Sequence, residues 1–184
     1  MSVVRPTGVV RVFALSAVLI ASGGGASPTV SAPGVPNFHR VNDGIYRGGQ
    51  PTAQGFRTLA KLGVKTVLDL RTSSGPSLWE KKEVKSVGMR YVQLPLYGDE
   101  SPTPSEIKTA FAVLDDKSQA PTFVHCHAGK DRTGMIIGCY RIFHDGWPTQ
   151  KALAEAKSYA GRDLTSAMEQ YILHFNRADI NLGL

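Results

Sequence analysis

The sequence predicts an α/β layer fold, with a central, mostly parallel sheet of about four to five strands flanked by helices. Three observations lead there. From residue 38 onward, short β-branched runs alternate with helix-like segments, a pattern that places helices on the faces of a parallel sheet. Within the helical segments, apolar residues recur at i, i+3, i+4 and i+7, giving one buried stripe each. The chain has 184 residues, 42% hydrophobic, which is enough for one compact domain with a core.

The elements follow in order. Residues 1–32 read as a signal peptide and leader: Arg5 and Arg11 make a positive start, residues 12–21 (VFALSAVLIA) are apolar, and small residues follow. Cleavage is expected after Ala26 or after Ala32. That run is too short for a bilayer about 30 Å thick, so no stable membrane span is expected and the protein is placed outside the cytoplasm, secreted or periplasmic. Residues 27–37 (SPTVSAPGVPN) read as a flexible lead into a single domain, 33–184. Residues 38–41 and 45–47 form strands around the Asn42-Asp43-Gly44 turn. A helix opens at Pro51-Thr52 and stops before Gly63.

Residues 64–70 (VKTVLDL) are an inner strand, 76–87 a helix and 89–94 another strand. After a loop at 95–104, Thr103-Pro104 starts a helix with Ile107, Ala110, Phe111 and Leu114 on its buried face. Residues 121–126 (PTFVHC) are a strand and 132–144 a helix, with further helices at 149–160 and 163–176. The apolar stripes are core faces.

The formal net charge is +6, falling to +4 if Arg5 and Arg11 are removed, a mild bias toward anionic substrates. No Lys/Arg block has nucleic-acid-binding density, so no nucleic-acid partner is expected. Two cysteines, Cys126 and Cys139, allow one disulfide on count alone.

The chemistry concentrates in His125-Cys126-His127-Ala128-Gly129-Lys130-Asp131-Arg132-Thr133-Gly134. This run lies where a strand meets a helix, the place where open α/β sheets bind ligands. A loop there can aim successive N–H groups and a helix N-terminus at one point, making an anion nest. A cysteine in such a nest has its thiolate favoured. The arginine fork, six residues after that cysteine, can take two phosphate oxygens at once, which lysine cannot.

The run H125-C126-HAGKD-R132-T133 resembles the His-Cys-x5-Arg-Ser/Thr signature of the cysteine-dependent protein tyrosine and dual-specificity phosphatase superfamily. Residues 44–51 (GIYRGGQP) are similar to the YRSGQP stretch of atypical dual-specificity phosphatases, with Gly48 where that pattern has Ser. Val67-Leu68-Asp69-Leu70-Arg71 resembles their DLR strand end, and the GKDRTG form of the loop resembles secreted bacterial phosphatases and lipid phosphatases of the phosphatase-and-tensin-homologue type. The resemblance covers residues 38–175 and implies a phosphotyrosine-phosphatase-like fold.

It also implies the roles. Cys126 is the nucleophile, forming a phosphocysteine. Arg132 and the amides of His127, Ala128, Gly129, Lys130, Asp131 and Arg132 bind the phosphate. Thr133 assists the departing thiolate, and His125 orders the loop. The general acid comes from a loop before the preceding helix, where Asp99 is favoured over Glu100. Neither a cofactor nor a metal is implied.

The expected substrate is a phosphorylated protein first, with phosphoinositides or inositol phosphates as the alternative and a non-catalytic phosphate binder as a reading from another class. A monomer is expected. His125, Cys126 and His127 as metal ligands is the weaker reading, because strand alternation turns the histidines away from the cysteine. Cys139, on a core stripe, reads as an inert buried thiol or a partner for oxidised Cys126.

Overall fold

The computed structural model describes residues 1, 32–72 and 75–180, with no account of the side chains of residues 75–77; the expected signal segment, residues 2–31, lies outside the described residues. Five strands form one sheet: β1 (His39–Asn42), β2 (Ile45–Gly48), β3 (Thr66–Asp69), β4 (Arg90–Gln93) and β5 (Thr122–His125). The spatial order is β1-β2-β5-β3-β4, with only the β1–β2 pair antiparallel. Six helices accompany it: α1 (Ala53–Lys61), α2 (Gly75–Ser86), α3 (Pro104–Asp115), α4 (Asp131–His144), α5 (Thr149–Ala160) and α6 (Ser166–His174). The fold is the predicted α/β sandwich of the phosphotyrosine-phosphatase type.

Strand alternation sorts the core into two layers. Val67 and Phe123 face a cluster with Phe56 and Leu59 of α1 and Val84 of α2. Their neighbours Leu68 and Val124 face the other way, into a cluster with Phe111, Ile136, Ala152 and Met168 from α3 to α6. The strands are shorter than the β-branched runs suggest: β3 occupies four residues, Val64 closing the turn out of α1 through its bond to the Leu59 carbonyl and Lys65 bonding to Pro121 and Arg90 just ahead of the strand. The final helix starts at Ser166 rather than near Asp163: Thr165 is its N-cap, with ψ 148° outside the helical range, and its amide donates to the Asp131 carboxylate.

The flexible leader is corrected over residues 32–37. The Gly34 carbonyl accepts from the Thr52 amide at 2.9 Å, and Pro33 accepts from the Thr58 hydroxyl at 3.0 Å. Ala32 and Val35 are buried against the α1 cluster. Gly34, at φ +85°, lies so close to Gly55 that a Cβ would sit 2.6 Å from the Gly55 nitrogen. The same Pro and Gly residues that suggest a loose tether instead build a fitted irregular segment.

Candidate active site

β2, β5, β3 and β4 run parallel, so the segments after their last residues gather along one edge of the sheet. At the centre, β5 ends at His125 and the chain loops through residues 126–130 into α4. The N-cap of α4 is Lys130, which makes no side-chain cap, in contrast to Thr52 on α1 and the Thr103–Glu106 capping box on α3. No backbone carbonyl among the described residues accepts from the amides of residues 127–132. A helix start with no side-chain cap, behind a row of N–H groups that no backbone carbonyl takes, is an anion cradle.

The loop is held from behind through its carbonyls. Gln50 N–H donates to the His127 carbonyl at 2.9 Å. The Asn37 side-chain amide and the Arg47 guanidinium both donate to the Gly129 carbonyl, each at 2.9 Å. With its carbonyls anchored outward, the loop keeps its amides for a ligand. Gly129 has φ +71°, and a Cβ there would lie 2.3 Å from the Gly48 backbone carbon. Glycine is therefore required at this position by conformation and by space together. Gly48 itself packs against the Phe123 ring, where a Cβ would approach to 3.0 Å, so the resembling family's serine would crowd the ring here.

Cys126 is buried, 3% exposed, at the floor of this cradle. Burial alone pushes its thiol up, but the Thr133 hydroxyl and amide, the Arg132 charge and the Gly129 amide outweigh it, and its pKa falls below the ordinary value. The Thr133 hydroxyl is itself buried and has no other partner, so the Cys126 sulfur is its natural acceptor. Arg132 reaches across to donate to the Leu96 carbonyl at 3.2 Å, linking the cradle to the loop that carries Asp99.

The next residue of that loop but one, Gly98, is pinned through its carbonyl by the Thr165 hydroxyl at 3.0 Å. Asp99 and Glu100 follow the pin, both exposed, and neither carboxylate makes an intramolecular bond among the described residues. The geometry brings the acid loop to the cradle without choosing between the two carboxylates.

Other expected site residues separate. His127, Ala128 and Lys130 lie on the open side of the cradle, the first two exposed. The Asp131 carboxylate turns away to the Arg162 guanidinium at 2.7 Å and the Thr165 amide at 2.9 Å. Burial would raise its pKa, yet those two partners hold it below the usual value. Its carboxylate is thus paired with Arg162 and points away from the cradle. Cys126 and Cys139 are both free thiols, and burial pushes Cys139 well above the ordinary thiol value, as befits an inert core residue.

His125 parts company with Cys126, as alternation requires, and is fully buried on the α2 side of the sheet, whereas His127 lies beyond the end of β5 and is exposed in the loop. There its Nε2 lies 2.7 Å from Glu80 on α2, and its Nδ1 lies 3.0 Å from the Cys126 carbonyl. Asp69, Glu80 and His125 are close enough together to hold a cation. The Arg71 guanidinium already fills that role, donating to Asp69 at 2.8 and 2.7 Å and also to Glu80. Sequence reasoning missed Asn37, Arg47 and Glu80. Arg47 and Asp69 fell inside quoted stretches without a role, while Glu80 is one acid in the charged run WEKKEVK.

Two other grooves lie apart from the cradle. One, about 270 Å³, is bordered by Ser101, Tyr171 and Phe175, and the other, about 490 Å³, by Gly44, Leu114 and Tyr140.

Residues 31–173 match the family described as DSP-PTPase phosphatase fused to NAD+ kinase. The chain is 32% identical over 133 residues to inositol diphosphatase DSP5 of Arabidopsis thaliana, a match covering 68% of this chain and 63% of that protein. It is 29% identical over 119 residues to the dual specificity protein phosphatase TpbA of Pseudomonas aeruginosa, covering 65% of this chain and 52% of that one. The chain therefore spans less than two thirds of the length of these relatives. Among solved structures, the core catalytic domain of the PP-IP phosphatase SIW14 from S. cerevisiae superposes with a TM-score of 0.73 at 25% identity, over 82% of this chain and 91% of that one. TpbA gives 0.70 at 25% identity, over 84% and 93%.

Proposed function

The chain belongs to the cysteine-dependent dual-specificity phosphatase family, and from that premise we propose that it hydrolyses phosphorylated inositols, diphosphates included, through a phosphocysteine at Cys126. The observation that carries the chemistry is the cradle: amides that no backbone carbonyl takes and an uncapped α4 surround a buried thiol of lowered pKa. The thiolate attacks phosphorus and the bond to the leaving oxygen breaks as that oxygen takes a proton from Asp99. Arg132 and the loop amides carry the charge on the equatorial oxygens. Water then attacks the phosphocysteine, giving its proton to the Asp99 carboxylate, and the thiolate departs toward the Thr133 hydroxyl.

The substrate class has two supports. One is similarity to a plant inositol diphosphatase and to a yeast PP-IP phosphatase. The other is Lys130, a loop cation whose neighbouring acid is taken up by Arg162. A densely phosphorylated ring offers such a cation a second phosphate, which a phosphotyrosine side chain does not.

The second reading is a dual-specificity protein phosphatase, favoured by similarity to TpbA. A kinetic panel of inositol diphosphates, phosphoinositides and phosphotyrosine peptides separates the two. The proposal expects kcat/KM on inositol diphosphates to exceed that on peptides by about tenfold or more. A preference for the peptides would transfer the assignment to the second reading.

A further inference from the structure

We propose that Glu80, a buried residue of α2, is a positioning residue for catalysis: it locks His125 in the imidazolium form directly behind the nucleophile. The inference rests on the phosphocysteine reading and adds to it a residue from a different element.

Both ring nitrogens of His125 face oxygen acceptors. Its Nδ1 faces the Cys126 carbonyl at 3.0 Å, and a carbonyl oxygen only accepts, so Nδ1 carries a proton. Its Nε2 faces a Glu80 carboxylate oxygen at 2.7 Å. The other Glu80 oxygen accepts from Arg71 and, at 2.6 Å, from the Gln50 side-chain amide. Two donors, one of them a guanidinium, favour the carboxylate over the acid, and a carboxylate oxygen only accepts, so Nε2 carries a proton as well.

Charge balance gives the same answer. The buried group contains Asp69 and Glu80, two negative charges, against Arg71, one positive charge. Tyr91 from β4 is a neutral donor to Asp69 at 2.8 Å. Only a cationic His125 neutralises the cluster, and an unbalanced buried charge is costly. Burial alone would lower the His125 pKa, but the Glu80 bond and the charges of Glu80 and Asp69 raise it instead.

Two consequences reach Cys126. The Nδ1–H holds the Cys126 carbonyl and so sets the entry angle of the loop. The imidazolium also adds positive potential on the α2 side of the thiolate, while Arg47 and Arg132 supply it from elsewhere. Gln50 completes the brace, since its amide N–H holds the His127 carbonyl while its side chain holds Glu80. Glu80 thus ties α2, β3, the β2–α1 turn and the loop into one unit.

The test reads Cys126 directly, by the pH dependence of its alkylation with iodoacetamide, and needs no substrate. Glu80→Gln is expected to raise the alkylation midpoint by about one pH unit, a tenfold loss of thiolate at acidic pH. Glu80→Asp should recover part of the shift. In a His125→Asn background, Glu80→Gln should add nothing, because its effect runs through the ring. An unchanged midpoint in folded Glu80→Gln would overturn the proposal. If that variant does not fold, ¹⁵N NMR of the wild-type protein decides: both His125 nitrogens protonated at pH 7 supports the lock, and a neutral ring there overturns it. Failure of the phosphatase reading looks different, namely a protein with the expected alkylation midpoint that turns over no phosphate ester.

Discussion

Cys126 is subject to opposing influences, and its usefulness as a nucleophile depends on which prevails. Burial favours the neutral thiol, whereas donors from Thr133 and Gly129 and the charge of Arg132 favour the thiolate. The donors prevail because all of them come from the cradle around the sulfur. Arg132 has a second task, since its Nη1 bond to the Leu96 carbonyl holds the acid loop near the site. A lysine keeps the charge but cannot span phosphate and carbonyl with a planar fork. Arg132→Lys is therefore expected to lower kcat about a hundredfold, the scale of a lost oxyanion donor. Steady-state kinetics on p-nitrophenyl phosphate check this, and an unchanged kcat would remove Arg132 from the transition state. Cys126, Arg132 and Thr133 were legible in the sequence because their spacing is itself the cradle's geometry. Glu80 was not, because nothing in WEKKEVK distinguishes a buried acid from solvated ones.

At the scale of elements, the segment between β4 and α3 connects Asp99, the proposed acid, to the rest of the site. Its far end is fixed by the capping box, where Thr103 N–H donates to the Glu106 carboxylate at 2.6 Å and Glu106 N–H to the Thr103 hydroxyl at 3.2 Å. Its near end is fixed at Leu96 and Gly98. Asp99 directly follows the Gly98 anchor and is the acid of the proposed mechanism, although the anchor by itself does not separate it from Glu100. A general acid matters most when the leaving oxygen is strongly basic. Asp99→Asn should therefore slow alkyl phosphate hydrolysis far more than hydrolysis of p-nitrophenyl phosphate or of a diphosphate, and should remove the alkaline limb of the pH–rate profile. Glu100→Gln should do neither, and the reverse pattern would move the role one residue along. The helices and strands were readable from their periodicity and caps. The anchors on Leu96 and Gly98 were not, because backbone carbonyls leave no mark in a sequence.

Across the whole molecule, the sheet brings together residues remote in sequence: Asn37 and Arg47 hold the same carbonyl of Gly129. Arg47 is fully buried, and burial pushes its guanidinium down to about 10. Its cost is offset in part by the Gly129 carbonyl and by stacking 4.6 Å from the Tyr159 ring centre. The α/β architecture was legible because strand–helix alternation leaves few ways to pair the elements. The docking of residues 32–37 was not, since Pro and Gly mark irregular backbone but not exposure. That docking bears on the proposed export. Cleavage after Ala32 would remove a residue buried against α1, so N-terminal sequencing of the exported protein is expected to begin at Ser27, and intact Met1 in the cytoplasm would contradict export. The central claim is covalent, and it is tested most directly by acid-quenching the protein during turnover of an inositol diphosphate and mapping the trapped phosphate by mass spectrometry. The account predicts phosphate on the peptide bearing Cys126, absent from Cys126→Ser; turnover by that variant, or phosphate trapped on another residue, would contradict it.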